Sequence, residues 1–335
     1  MDRLNQTPAV EQLDENLYRI AVPLPRNPLR WINSYFMRGR ERSLLVDTGM
    51  NRRACLEALV NALDLLGAER GKMDIFITHL HPDHIGLVEK TAGATSKIYL
   101  SRTEAALIRK GTFWDAAAPS GVENGLPKAE LQIFVDENPE SAYGPGPETP
   151  FTDVAGGDVI RAGEAELICV ATPGHSPGHL CLYDEKRKLL FAGDHLLEGV
   201  TPNISALGVD GAGDPLARYL ESLDVTDTLD VDLVLPGHFH PFRGHRRRSR
   251  EIREHHHRRL SEVSRILAES ANGFTAYQTA SRMHWDLSGG WTRFPPAQKW
   301  FATGEALAHL QFLAEEGRAV RRQADGLRRY AAPSA

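Results

Sequence analysis

Short apolar stretches alternate with amphipathic segments through roughly the first 240 residues of the chain. Leu17–Val22, Ile32–Met37 and Ser43–Val46 are strand-like runs, and the last two flank a Gly39-Arg40 turn as the arms of a hairpin do. Residues 52–66 repeat apolar side chains at helical spacing. The pattern predicts a sheet that begins with a hairpin and is then covered by a helix.

The same alternation continues along the chain. Short helices are predicted at residues 86–92 and 214–223. Further strands are predicted at Asp74–Thr78, Lys97–Leu100, Asp158–Ile160, Glu166–Ala171, His179–Tyr183, Leu189–Ala192 and Leu233–Leu235. Strands that alternate with helices in this way indicate an α/β layer architecture.

Two regions depart from this pattern. Residues 111–157 are rich in proline and glycine and show little periodicity, so we expect an irregular insertion near the active site, with helical parts such as 123–132. After about residue 245 the pattern is mainly helical. The sequence therefore predicts a catalytic domain at 1–244 and a C-terminal helical domain at 245–335.

The composition is that of an ordinary globular protein. With 335 residues, 41% of them hydrophobic, the chain can bury a full core, and a net charge of −5 gives no overall nucleic-acid signature. Its three cysteines, Cys55, Cys169 and Cys181, are too few and too scattered for a disulfide framework. The N-terminus lacks the pattern of a secretory signal, and no apolar run approaches the ~20 residues of a membrane span. We expect a cytoplasmic protein without a membrane partner.

Histidines and aspartates collect where the predicted strands end. Strand 74–78 is followed by the segment HLHPDH, and three later strands are each followed by one such residue. The candidate metal ligands are His79, His81, Asp83, His84, His175, Asp194 and His238. Strand ends of an α/β fold can converge on one edge, which is where sites usually lie.

These residue types suit a pair of zinc ions, which prefer imidazole nitrogen and carboxylate oxygen. His175 can complete a three-histidine site with His79 and His81. A second site can be formed by Asp83, His84 and His238, and Asp194 can place one oxygen on each metal. Two such cations can share a hydroxide and lower the pKa of water to about neutrality. Iron or manganese would accept the same ligands.

From Leu17 to about Pro241 the chain resembles the metallo-β-lactamase superfamily. The resemblance rests on five motifs: VDTG (46–49), THLHPDH (78–84), TPGHSPGH (172–179), AGDHLL (192–197) and LPGHFHP (235–241). It implies an αβ/βα sandwich with two metals at its edge, held by the seven residues named above. Asp47 matches an aspartate that orients the ligand loops in that family. The carboxylate bridge resembles glyoxalase II and the RNA-processing members rather than the cysteine-containing sites of antibiotic β-lactamases.

Two histidines and one segment lie next to the candidate ligands without belonging to the seven. His195 and His240 can either support the ligands and contact substrate, or serve the structure alone. The segment Thr201-Pro202-Asn203 can border the pocket.

The expected chemistry is hydrolysis by a metal-bridging hydroxide, with Asp83 orienting it or accepting its proton. The substrate we expect is a small thioester, ester or lactone, attacked in the manner of hydroxyacylglutathione hydrolases. The alternative is an endoribonuclease acting on single-stranded RNA. A metal-stabilised protein without activity is a third possibility, which the intact ligand set disfavours.

The nuclease alternative depends on the C-terminal region. Residues 255–267 and 306–320 resemble the winged-helix-like tail of the β-lactamase-like endoribonucleases. The arginines between Arg243 and Arg259 could contact phosphates, or could pair with nearby glutamates along a solvated helix face. A homodimer is suggested by family analogy alone.

Overall fold

Two β-sheets form the centre of the protein in a computed structural model that describes residues 9–25, 27–111, 113–137, 144–208, 213–286 and 289–333. In the first sheet seven strands follow one another in chain order: β1 (Val10–Asp14), β2 (Leu17–Pro23), β3 (Trp31–Met37), β4 (Ser43–Val46), β5 (Met73–Phe76), β6 (Ile98–Ser101) and β7 (Phe151–Val154). The second sheet has five strands in the order β12 (Leu233–Pro236), β11 (Leu189–Gly193), β10 (Leu180–Asp184), β9 (Ala165–Ala171) and β8 (Val159–Ala162).

The predicted hairpin is present, and the strands that follow it form the parallel half of the sheet. Strands β3 and β4 pair antiparallel, with Phe36 opposite Leu45. From β4 onward the pairs β4–β5, β5–β6 and β6–β7 are parallel. Parallel strands need crossover connections, which the helices supply.

Helices cover the outer faces of both sheets. The described helices are α1 (Arg53–Leu65), α2 (Pro82–Ile85), α3 (Val88–Thr91), α4 (Arg102–Lys110), α5 (Phe113–Glu123), α6 (Lys128–Glu137), α7 (Pro215–Asp227), α8 (His245–Leu267), α9 (Ala276–Ala280) and α10 (Pro296–Glu315). Leu59 and Leu63 of α1 pack on Ile75 of the first sheet. Leu216 of α7 and Leu190 of the second sheet share another cluster.

A third apolar cluster lies between the two sheets. Tyr35 of β3 and Phe191 of β11 meet edge to face, with ring centroids 5.5 Å apart, and both are almost fully buried. Leu44 and Phe76 of the first sheet join Leu182 of the second in the same cluster. The order of layers is therefore helix, sheet, sheet, helix, which confirms the predicted αβ/βα sandwich.

The segment 111–157 is more regular than its sequence predicts. Its described parts hold α5, α6 and strand β7; the expected helix at 123–132 overlaps α6, whereas α5 and β7 were not expected. The helical periodicity is hidden because small residues make the contacts of α5: Ala117 is buried, and a side chain at Gly121 would meet the Trp300 ring. Pro119 lies inside α5 and further masks the pattern.

The C-terminal region begins with α8 and ends in a two-stranded hairpin, β13 (Val320–Ala324) and β14 (Leu327–Ala331). Its helical extension is as predicted, whereas the hairpin was not foreseen. Ile252 of α8 and Leu307 of α10 lie in one apolar cluster with Leu190 of the second sheet. These helices therefore share a core with the sandwich, and the boundary at 244/245 stays a prediction.

In the described part of the chain, none of the helices combines the length and the apolar character that a membrane crossing requires.

Candidate metal centre

The candidate ligands lie where strands of both sheets end at one edge of the sandwich. Strand β5 leads into residues 77–81 and then α2, which together carry four of them. Strands β9, β11 and β12 run in the same direction, so that His175, Asp194 and His238 follow their carboxyl ends. Backbone hydrogen bonds from Leu180 to Thr78 (3.0 Å) and from Asn33 to Gly237 (2.7 Å) join the two sheets at this edge.

Three histidines form the first group. The Nε2 atom of His79 lies 2.9 Å from Nδ1 of His81, and Nε2 of His175 lies 3.0 Å from the same atom. These three nitrogens therefore converge from two different sheets. His-x-His spacing in the loop after β5 lets both side chains project to one side.

Asp83, His84 and His238 form the second group, and Asp194 lies between the two. Nε2 of His238 is 3.4 Å from an oxygen of Asp83. The Asp194 carboxylate reaches His84 through one oxygen (3.5 Å) and both His175 and His238 through the other (3.5 Å each). The structure thus brings all seven predicted ligands together.

The donor set fits divalent cations. Nε2 of His84, Nε2 of His238 and Oδ1 of Asp194 are buried and have no hydrogen-bond partner in the described part of the chain. A buried polar atom left unpaired costs about 1–3 kcal/mol. A single cation bound between these three atoms would offset the cost of all three. The first would be held by the three-histidine group, the second by Asp83, His84 and His238, with Asp194 able to contact both.

Hydrogen bonds behind the rings fix which nitrogen faces the centre. Nδ1 of His175 donates to the carbonyl of Asn203 (2.9 Å), and Nδ1 of His238 donates to the carbonyl of Trp31 (2.9 Å). Because a carbonyl can only accept, the proton of each ring is on Nδ1 and the lone pair of Nε2 is free. This is the usual way in which proteins orient a metal-ligating histidine.

Asp47 acts in the same way on His84. One oxygen of its buried carboxylate lies 2.7 Å from Nδ1 of His84 and accepts the Thr78 hydroxyl (2.8 Å), while the other accepts the Thr78 backbone N–H (2.8 Å). Asp47 therefore ties the loop after β5 to α2. This contact pattern is what the predicted orienting role requires.

The ionisation of the cluster favours metal binding. Burial, together with neighbouring histidines, lowers the pKa of His79 well below its usual value and that of His81 to about 3. Burial would raise the pKa of Asp194, but His238 and His84 hold it well below the ordinary value. The same histidines lower the pKa of Asp83 against the effect of burial. Neutral imidazoles and ionised carboxylates are the forms that bind metal.

Burial also opposes the charged form of His84, yet the carboxylates of Asp47, Asp194 and Asp83 raise its pKa well above the usual value. The pKa of His238 is raised by Asp194 and Asp83 in the same sense, again against burial. The carboxylates that favour an extra proton on these two rings would equally favour a metal cation at the same place. The second group therefore attracts positive charge.

His195 and His240 lie outside both ligand groups. His195 is buried on the helix side, where Nε2 lies 3.1 Å from the Thr226 hydroxyl and the ring packs edge to face on Tyr219. His240 is exposed, and its ring lies 5.9 Å from that of Trp31, whose carbonyl orients His238. His195 thus contacts the core below the centre, and His240 lies at its rim.

Two further buried residues were missed. Nε2 of His179 accepts the backbone N–H of Asp194 (3.2 Å), and its Nδ1 lies 2.8 Å from the Thr172 hydroxyl. Glu104, at the start of α4, accepts the Ser176 hydroxyl and the Gly178 N–H (3.1 Å). Burial raises the pKa of Glu104 to about 7. The role of His179 could have been predicted because it is the last residue of the TPGHSPGH motif. No signal in the sequence pointed to Glu104.

A narrow cleft opens beside the first group. It is lined by Gly174, His175, Ser176, Pro177, Ser205, Gly213, Pro215 and Arg218. Because His175 belongs both to this cleft and to the candidate metal centre, the cleft adjoins the first ligand group.

The basic run of α8 is largely engaged within the protein. Arg246 donates to the carbonyls of Asp227 and Leu229, and Arg253 pairs with Asp224. Arg248 donates to the carbonyls of Leu197 and Val200. These arginines hold α8 against the sandwich, whereas the predicted pairing with glutamates along the helix is found at Arg247–Glu251 and Arg259–Glu262.

Comparison with known proteins identifies the class that this fold and centre define. The chain belongs to the metallo-beta-lactamase superfamily, whose family model matches residues 30–238, and residues 293–333 match the metallo-beta-lactamase-like C-terminal domain. A crystal structure of a beta-lactamase domain protein from Burkholderia ambifaria is similar over 98% of this chain and 97% of its own, with a TM-score of 0.83 and 29% identity.

Two curated relatives carry functional names. The chain is 29% identical to "Acyl-coenzyme A thioesterase MBLAC2" of Gallus gallus over 223 residues, which is 63% of this chain and 73% of the relative. It is 27% identical to "Probable metallo-hydrolase YqjP" of Bacillus subtilis over 282 residues, which is 80% of this chain and 85% of the relative. The protein is a hydrolase of this superfamily.

Proposed function

We propose that the protein is a dinuclear metal-dependent hydrolase of small-molecule thioesters. The observation that carries the proposal is the convergence of seven ligand side chains from both sheets on two adjoining groups, with Asp194 between them. The thioesterase name of the Gallus gallus relative supports a thioester as the substrate class. Esters and lactones share the carbonyl chemistry and are the next substrates to test.

Zinc is the metal we propose, two ions per chain, because the set is built of imidazoles and carboxylates. Iron and manganese remain the alternatives for the same ligands. Bound divalent ions lower the pKa of water and polarise a carbonyl oxygen, which is the chemistry a thioester hydrolase needs. The three buried free cysteines are consistent with a reducing compartment, and we propose the cytoplasm.

We propose separate roles for the residues around the metal centre. Asp83 is half-buried beside His238, and we propose that it orients the attacking water or takes up its proton. Asp47 holds His84, and the carbonyls of Trp31 and Asn203 hold His238 and His175. The cleft along His175 and Arg218 would receive the substrate next to these groups.

The test is a substrate screen with zinc-loaded protein. Acyl-coenzyme A, acylglutathione, simple esters, lactones and single-stranded RNA are compared, with thiol release measured for the first two. His81→Ala should lose both metal and activity, whereas Asp83→Ala should retain the metal of the three-histidine group and lose turnover. A fully active His81→Ala protein, or cleavage of RNA without thioester hydrolysis, would overturn the proposal.

A further inference from the structure

The metal centre is linked to the C-terminal helix α10 through one loop residue. The backbone carbonyl of Asn203 accepts the proton of Nδ1 of His175 (2.9 Å). The side chain of the same Asn203 points to α10, where Nδ2 donates to Oε2 of Glu305 (3.3 Å) and to the carbonyl of Phe301 (3.4 Å). One residue therefore contacts a candidate ligand with its backbone and the C-terminal helix with its side chain.

The loop around Asn203 lies directly against α10. The backbone N–H of Ala206 donates to the carbonyl of Gly304 (3.2 Å). A Cβ atom at Gly304 would lie 2.1 Å from Oγ of Ser205, so only glycine permits this approach. Since helix and loop are in contact at Phe301 and Gly304 as well as at Glu305, a displacement of the loop would have to change the Asn203 contacts.

Glu305 is itself held in place. Its other oxygen, Oε1, accepts from Nε of Arg259 on α8 (3.2 Å), and its side chain is only 13% exposed. Arg259 also pairs with Glu262 (3.0 Å). Arg259 of α8 therefore fixes the orientation of the Glu305 carboxylate, whose other oxygen accepts from Asn203.

We propose that Asn203 and Glu305 are positioning residues that orient Nε2 of His175 towards the metal. The C-terminal helix α10 would in this way contribute to metal affinity. The inference rests on the proposed function, because it needs a metal to be bound. Orienting partners of ligating histidines typically change metal affinity by about 10–100-fold when they are removed. Here the partner is a backbone carbonyl, and the Asn203–Glu305 contact determines where that carbonyl lies.

An exchange of donor and acceptor tests the contact. Asn203→Asp replaces the donating amide with a carboxylate that faces the carboxylate of Glu305, and the repulsion should move the loop. We expect about a 10-fold loss of zinc affinity. In the double variant with Glu305→Gln, the new amide can donate to the new carboxylate, and most of the affinity should return. Asn203→Ala, which adds no charge, serves if the aspartate variant fails to fold, and it should also weaken zinc binding.

The readouts are zinc affinity by chelator competition and the visible spectrum of the cobalt-substituted protein, alongside circular dichroism. The matched control is Asn51→Asp, because among the described residues the Asn51 side chain accepts from Lys90 (2.7 Å) and contacts neither His175 nor α10. Its affinity should equal that of the wild type. Wild-type protein that binds no metal would refute the proposed function. Two other results would refute this inference alone, provided that the wild type binds metal. In the first, Asn203→Asp and Asn203→Ala bind metal as well as the wild type does; in the second, the double variant recovers no affinity.

Discussion

Gly237 occupies a position where the site leaves no room for a side chain. A Cβ atom there would lie 2.6 Å from Oδ1 of Asp194 and 2.7 Å from Cε1 of His84. We expect Gly237→Ala to displace both ligands, to lower stability by about 1–3 kcal/mol and to reduce the metal content. Metal analysis and thermal unfolding measure the two effects. Gly71→Ala is the control, since no heavy atom lies within 4 Å of its Cβ position, and equal metal content in both variants would contradict this account.

Asp47 offers a second test at the scale of one residue. Its φ of 58° lies in the left-handed region, which asparagine tolerates, so Asp47→Asn keeps the backbone. The amide cannot accept all three hydrogen bonds from Thr78 and His84. We expect about a 10–100-fold loss of metal affinity, measured by chelator competition.

The control for Asp47 is another buried aspartate. Asp74 accepts from Arg42 (2.6 Å) and from the Lys97 backbone (2.8 Å), away from the ligands. Asp74→Asn should lower stability and leave metal affinity unchanged. Parallel losses of metal affinity in both variants would show that Asp47 matters only for folding.

The seven ligands and Asp47 could be predicted from the sequence because each lies in a short motif that follows a strand. Glu104 and Asn203 could not be predicted as supports of the site. Glu104 reaches Ser176 from a helix that lies far away along the chain. Asn203 contacts His175 through a backbone carbonyl, an atom that every residue has, and its side chain meets Glu305 102 positions further along the chain, so no short motif marks it.

Helices α8 and α10 are joined by a pair of buried histidines, His256 and His309. Nδ1 of His309 donates to the carbonyl of Glu305 (2.7 Å), so its Nε2 must accept from Nδ1 of His256 (3.1 Å). Burial lowers the pKa of His309 to about 4, and burial together with His309 lowers the pKa of His256 well below its usual value.

This pair should make the protein sensitive to acid. Below the usual histidine pKa of about 6.5 the unfolded chain binds protons that the folded pair resists, so stability falls as the pH drops towards 4. For His309 the loss at pH 5 is about 2 kcal/mol. His309→Gln should be slightly less stable at pH 7, and its stability should fall less steeply between pH 7 and 5. Denaturant unfolding at several pH values measures the slopes, and identical slopes would exclude the pair as the cause.

Elements were predictable where large apolar side chains set the period, as in α1 and the strands of the sandwich. Strand β13 was missed because every residue in it is exposed and it carries arginines, so neither alternation nor apolar character marks it. Helix α5 and its end before 124–127 were missed for another reason. Asn124 caps locally by donating to the Ser120 carbonyl (2.9 Å), and such a contact leaves no periodic trace.

At the scale of the whole molecule, the metal centre lies across the joint between the two sheets. Four of the ligands come from the loop and helix after β5 of the first sheet, and three follow strands of the second. The cysteines are free, so no disulfide links the sheets. Bound metal would therefore connect the two halves of the sandwich, and its loss would leave buried atoms of His84, His238 and Asp194 unpaired.

Metal removal should accordingly destabilise the fold as well as abolish activity. A ligand that binds only the folded state at 100 times its Kd stabilises it by about 2.7 kcal/mol, which for a chain of this size is a shift of several degrees in Tm. We expect zinc to raise the Tm of chelator-treated protein by that amount. His238→Ala should show a much smaller rise, because it lacks a ligand of the second group, whereas the exposed His240→Ala should match the wild type. A Tm that is the same with chelator and with zinc would mean that the two sheets are held together without the metal centre.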